Sequence, residues 1–146
     1  MRTSLATNND LLLEVSPCSY DEITIFTEGD CWLLAKELHA RGIGEVVGIT
    51  EKENPEYWCH MAVVLPDGNF LDAHGIQTKD QLMTRWTPFC ARGKSALAHY
   101  DVSAPGRWEE LTADQEDCHR LSEDEEVLEV ADKLEEWLED LGLIAA

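Results

Sequence analysis

A thiol, an imidazole and a carboxylate follow one another along the chain at Cys31, His60 and Asp72, each in a local pattern that suits acyl-transfer chemistry. A thiol nucleophile must be deprotonated near neutral pH and open to substrate. The N–H groups at a helix N-terminus stabilise a thiolate. A neighbouring imidazole does the same and later protonates the leaving group. A third polar group then fixes the tautomer and direction of the imidazole. Cys31 follows Gly29-Asp30 at the expected start of a helix, His60 lies on the first strand of an expected hairpin, and Asp72 lies on the second. The hairpin count sets a geometric problem. With a turn centred on Asp67 and Gly68, Asp72 falls about three residues from the position opposite His60, a displacement of about 10 Å at about 3.3 Å per residue. A bulge, strong twist or altered register would have to close that gap. His74 lies closer to facing His60 and shares the strand face of Asp72, so it competes for the same role.

The remaining chemistry-bearing residues read as structural. Cys18, Cys59, Cys90 and Cys118 complete an odd set with wide spacings and no CxxC pair, so free thiols are expected and disulfides are not. Cys59 alternates to the sheet face opposite His60 and reads as core. A zinc set of Cys31, Cys59, His60 and Cys90 has no supporting spacing, and neither a metal nor a cofactor is expected. His39 and His119 sit on expected helices and read as solvent-facing. Trp32, Trp58 and Trp86 surround the motif, where aromatic rings either fill the core or line a groove.

The elements that must position these groups are partly legible. Trp32, Leu34, Ala35 and Leu38 recur at helical spacing after Cys31, and Gly42 supplies a stop. Glu45–Thr50 reads as a strand and 51–56 as a polar loop. Trp58–Leu65 and Phe70–Ala73 read as a hairpin about the turn Pro66-Asp67-Gly68-Asn69. Thr78 and Gln81 form a capping box for a helix running to about Trp86. Residues 87–108 read as irregular, and Thr112 with Gln115 suggests another helix start. Ser122 and Glu125 are expected to open a last, amphipathic helix. Val127, Ala131, Leu134, Leu138 and Leu141 line one of its faces, and Gly142 ends it. The two apolar stretches 11–15 and 23–26 take no definite assignment.

The runs Gly29-Asp30-Cys31-Trp32-Leu33-Leu34-Ala35, Trp58-Cys59-His60-Met61-Ala62-Val63-Val64 and Asp67-Gly68-Asn69-Phe70-Leu71-Asp72 resemble small bacterial and phage members of the papain-like cysteine protease superfamily. The order Cys, His, Asp, with Asp on the following strand, is similar to the transglutaminase-like branch, with the NlpC/P60-like branch beside it. The resemblance covers roughly residues 26–86. It implies an α+β fold with a papain-like core, the Cys-bearing helix packed on a small antiparallel sheet and C-terminal helices covering it. It also implies Cys31 as nucleophile, His60 as base and Asp72 as orienting acid, in a cysteine hydrolase or acyltransferase acting on an amide, isopeptide or thioester bond of a protein or peptide substrate. One departure concerns the oxyanion. Residues 23–28 hold no Gln or Asn, so backbone N–H groups including that of Cys31, or a hydroxyl of Thr24 or Thr27, would have to hold it.

Length and charge bound the alternatives. The 146 residues suit one domain, and 44% apolar composition makes it globular. No 18-residue apolar run spans a membrane and no leader is evident, so a cytoplasmic protein is expected. The net charge of −19 repels nucleic acid. The acids concentrate in a helical C-terminal part, about 109–142, where residues 109–140 hold 15 acids against Arg120 and Lys133. That surface supports a second expectation from a different class: a catalytically silent acidic inhibitor or adaptor, such as a phage anti-defence protein, binding a basic protein surface.

Overall fold

Ser19 opens the first helix. Its hydroxyl accepts from the amide of Glu22, and the Glu22 carboxylate accepts from the amide of Ser19, so a capping box starts α1 (Tyr20–Glu28) and gives the apolar stretch 23–26 a helical home. The computed structural model describes residues 14–115 and 122–145. The readings on Cys118 and His119 lie outside the described residues. After Gly29 and Asp30 the chain turns into α2 (Cys31–Ala40), which buries Cys31, Leu34, Ala35 and Leu38. Gly42 at φ 75° closes α2 in the left-handed conformation that glycine adopts without strain.

Six strands form one sheet: β1 (Glu14–Val15), β2 (Glu45–Glu51), β3 (Asn54–Val64), β4 (Phe70–Asp72), β5 (Gly75–Gln77) and β6 (Ser95–His99), in the order β1-β5-β4-β3-β2-β6. Every neighbouring pair among them is antiparallel. Two expectations change here. The polar segment 51–56 is not a loop throughout, because the ladder runs on to Glu51 opposite Asn54 and β3 begins at Asn54. The stretch 87–108 is not irregular throughout, because Ser95–His99 pairs with β2 as an edge strand. Its small and polar residues hide it from a search for β-branched runs. Tyr100 follows β6 and lies across Gly48 of β2, where a Cβ would come within 2.6 Å of the ring. The Tyr100 hydroxyl donates to the carbonyl of Pro55 at 2.7 Å.

Alternation along β2 and β3 builds two apolar layers. Val46, Met61 and Val63 face α2 together with Leu34 and Leu38. Val47, Ile49 and Ala62 face α3 (Lys79–Trp86) through Leu82 and Trp86. The Thr78–Gln81 capping box does open α3. Thr112 closes α4 (Arg107–Thr112) instead of opening a helix, its hydroxyl donating to the carbonyl of Trp108. The last helix, α5 (Asp124–Asp140), packs mainly on α2 and buries Val127, Val130, Ala131, Leu134 and Leu138. Leu141 lies beyond its end and is exposed. Arg41 of α2 pairs with Glu37, Asp132 and Glu135, and Lys133 pairs with Glu22 of α1, which fixes the α5 docking angle. The molecule is thus α+β, helices on an antiparallel sheet. Among the described residues no helix is long and apolar enough to cross a membrane.

Candidate functional site

His60 and Asp72 meet. His60 Nε2 lies 2.8 Å from Asp72 Oδ2, and both side chains are buried. The sequence count put them about three residues out of line, and the ladder explains the difference. Val63 pairs with Leu71 and Val64 with Phe70, one residue away from the expected register. Continued, that register sets Asp72 opposite Ala62, two residues from His60 and on the same face. Such a diagonal pair is within reach of a long side chain, and a slip of one residue would have put the two on opposite faces. A carboxylate only accepts, so Nε2 carries the proton and Nδ1 is the basic nitrogen. Burial opposes charge on the ring, but the hydrogen bond to Asp72, with Cys31 adding to it, raises the His60 pKa to about 9. Burial likewise opposes the Asp72 charge, and the His60 hydrogen bond outweighs it, lowering the carboxyl to about 2.

Cys31 is the first residue of α2, as expected, and is 4% exposed. Its thiol raises the His60 pKa by both hydrogen bonding and charge, yet Nδ1 has no partner within strict hydrogen-bond geometry. The two groups are therefore near but not aligned as a hydrogen bond. The helix start is arranged to leave amides for the sulfur. Asp30 is the N-cap, but its side chain makes no cap hydrogen bond. Its Oδ2 instead accepts from Ser122 N at 2.7 Å and Ser122 Oγ at 2.6 Å. The Asp30 carbonyl takes the N–H groups of Leu33 and Leu34, which leaves those of Cys31 and Trp32 without an intrahelical acceptor. Ser122 is thus engaged elsewhere and does not cap α5, which a Glu123–Glu126 box opens in its place. No family model, curated protein or solved structure matches the chain.

Three further residues shape the site, of which Gln77 did not stand out in the sequence. Gln77, fully buried, donates from Nε2 to Asp72 Oδ1 at 2.8 Å, beside the amide of His74 at 2.9 Å, so the carboxylate is held by three donors. Trp86 stacks on His60 with centroids 4.0 Å apart and planes 10° apart, covering one face of the ring. Cys59 and Cys90 pack in the apolar layer under α3, as expected of core thiols, with their sulfurs 3.5 Å apart. The His74 ring does not take the orienting role. Its Nε2 faces Arg85 Nη1 at 3.4 Å, and burial, with Arg85, lowers its pKa. His39 is not simply solvent-facing, since its Nδ1 lies 3.1 Å from the carbonyl of Gly44. Trp32 and Trp58 pack on the core, Trp58 donating to the carbonyl of Leu111. Among the described residues no group of three or more His, Cys, Asp or Glu is placed to hold a metal ion.

A groove of about 620 Å³ lies between α1 and the turn that follows α3; Trp86, which stacks on His60, lines it, whereas Cys31, His60 and Asp72 do not. Tyr20, Ile23 and Thr24 form one wall, Trp86 and Phe89 the other, with Cys59 also lining it. The Thr27 hydroxyl is committed to the carbonyl of Ile23, so of the two threonines only Thr24 keeps a hydroxyl without such a bond to its own helix. Burial raises the pKa of Cys18, Cys59 and Cys90, holding these three thiols protonated.

Proposed function

We propose that this chain is a cysteine hydrolase or acyltransferase with a papain-like core of the transglutaminase-like kind, acting on an amide, isopeptide or thioester bond of a protein or peptide. The buried 2.8 Å bond from His60 to Asp72 carries the reading, because it leaves Nδ1 as the basic nitrogen beside a thiol at a helix N-terminus. Cys31 would attack the acyl carbon, and the amides of Cys31 and Trp32 would receive the oxyanion. His60 would deliver its proton to the leaving amine or thiol, leaving a thioester on Cys31. Water or an amine would then take the acyl group, with His60 accepting the proton. The groove between α1 and Trp86 would seat the acyl donor.

Iodoacetamide labelling, read by intact mass and peptide mapping, tests this. Cys31 should alkylate faster at neutral pH than Cys18, Cys59 or Cys90. Equal rates at Cys31 and Cys90 would end the idea of an activated nucleophile. The slight exposure of Cys31, 4%, favours one other reading, a silent scaffold that binds a basic protein through its acidic surface. That reading expects no selective labelling and a complex that weakens steeply with salt.

A further inference from the structure

Cys59 is the residue that the β2–β3 ladder skips. Ile49 pairs with His60 and Thr50 with Trp58, so β3 carries one extra residue at Cys59. A bulge of this kind bends its strand and redirects a side chain. Here it brings Cys59 Sγ to 3.5 Å from Cys90 Sγ, across 31 positions of sequence. Cys90 follows the 3-10 turn Thr87–Phe89 that continues from α3. Both sulfurs also approach the carbonyl oxygen of Trp86, each at 3.9 Å. Sulfurs 3.5 Å apart must close by about 1.5 Å to reach the disulfide length of about 2.05 Å. The bulge and the short turn are the pliable pieces that would move. Cys59 is half-buried and lines the groove, where a small oxidant reaches it, and Cys90 is buried behind it.

We propose that Cys59 and Cys90 are an oxidisable dithiol that a hydroperoxide closes to a disulfide, and that closure narrows the groove at Trp86. In the first step the Cys59 sulfur gives up its proton and attacks one peroxide oxygen. The O–O bond breaks, water leaves when the oxidant is hydrogen peroxide, and Cys59 becomes a sulfenic acid. The Cys90 sulfur then attacks the Cys59 sulfur. The S–O bond breaks, the S–S bond forms, and the departing hydroxide leaves as water with the Cys90 proton. Two thiols are oxidised by two electrons as one peroxide is reduced. Burial, with Cys90 adding to it, pushes the Cys59 thiol up to about 12, so the first step quickens as pH rises. Closure draws the turn Thr87–Phe89 toward β3 and shifts Trp86, whose ring lies on His60. The consequence for Cys31 rests on the thiol-enzyme reading, whereas the cross-link does not.

The test treats the whole chain with one equivalent of hydrogen peroxide and maps it without reduction. The expected product has lost two hydrogens, yields a joined Cys59–Cys90 peptide pair, forms faster at alkaline pH and reverts with dithiothreitol. Cys90→Ser should give oxygen addition at Cys59 and no loss of hydrogen. In the cross-linked species, iodoacetamide should alkylate Cys31 several-fold more slowly than in the reduced protein. An unmodified wild-type chain, or oxygen added at Cys59 without the cross-link, overturns the dithiol. A cross-link that leaves the Cys31 rate unchanged overturns the narrowing of the groove. A cross-link in a chain whose Cys31 never labels selectively leaves the dithiol standing and sinks the thiol-enzyme reading instead.

Discussion

Asp72→Asn keeps the shape of the side chain and removes its charge. The carboxylate now accepts from three donors: His60 Nε2 on Oδ2, and the His74 amide and Gln77 Nε2 on Oδ1. An asparagine has one oxygen to offer. If that oxygen stays with His74 and Gln77, its NH₂ faces His60 Nε2 and forces the ring proton onto Nδ1, the nitrogen meant for Cys31. If the amide flips, its NH₂ meets two donors. The first arrangement keeps three bonds, with the one to His60 reversed and no longer charge-assisted, and should dominate. A hydrogen bond to a charged group contributes about 1.5–3 kcal/mol, which at about 1.4 kcal/mol per power of ten weakens proton binding by His60 about tenfold to a hundredfold, from a starting pKa of about 9. The Cys31 alkylation rate should fall, modestly at neutral pH, where wild-type His60 is almost fully protonated, and more steeply as pH approaches about 9, with a circular dichroism spectrum like that of the wild type. Second-order alkylation rates across pH, with the imidazole resonances followed by NMR, measure both effects. A folded Asp72→Asn protein with the wild-type pH profile at Cys31 would refute the chain from Asp72 through His60 to the thiol.

The His60–Asp72 pair also predicts a pH window for stability. His60 is raised to about 9, so its contribution is full below the ordinary histidine value and is lost as pH rises through about 9. Asp72 is lowered to about 2, so its contribution is full above the ordinary carboxyl value and is lost as pH falls through about 2. Urea midpoints across pH should show both limbs, each flattened in a chain carrying Asp72→Asn and His60→Gln together. Acyl transfer should decline above about 9 for a separate reason, the loss of the proton that His60 gives to the leaving group. Leu134→Ala removes a fully buried side chain at the α5–α2 contact and should cost about 2–5 kcal/mol in chemical denaturation. An unchanged midpoint would mean that α5 does not hold the fold. Gly48→Ala drives a methyl into the Tyr100 ring and should cost about 1–3 kcal/mol, with part of the loss recovered when Tyr100 is shortened to Leu.

The readings that succeeded rest on local pattern. The hairpin turn at Pro66–Asn69, the helix after Cys31, the Thr78–Gln81 box and the buried face of Val127, Ala131, Leu134 and Leu138 all follow from spacing of a few residues. The misses are non-local. A one-residue change of register decides whether His60 and Asp72 share a face, and a turn read from residue types fixes register only to about that margin. The bulge at Cys59 has no signature of its own, and without it alternation sends Cys59 away from the site. Gln77 and Trp86 reach the pair through the short β4–β5 connection and the end of α3, where no period marks them. Ser122 does have the residue type of a helix cap. It lost that role to Glu123 because a buried carboxylate 92 residues away accepts both its amide and its hydroxyl.

That last contact gives the C-terminal helix a hold on the thiol's surroundings. Asp30 Oδ2 takes two donors from Ser122, two residues before α5 and outside its own helix. Peel α5 away, by truncation or by a competitor for α2, and the carboxylate loses both. An aspartate at an N-cap position favours the amides at the head of its own helix. Those are the amides beside Cys31. A carboxylate turned to them would set a negative charge beside the thiol. On the proposed reading, the seating of the last helix would therefore bear on the reactivity of Cys31 from far along the chain.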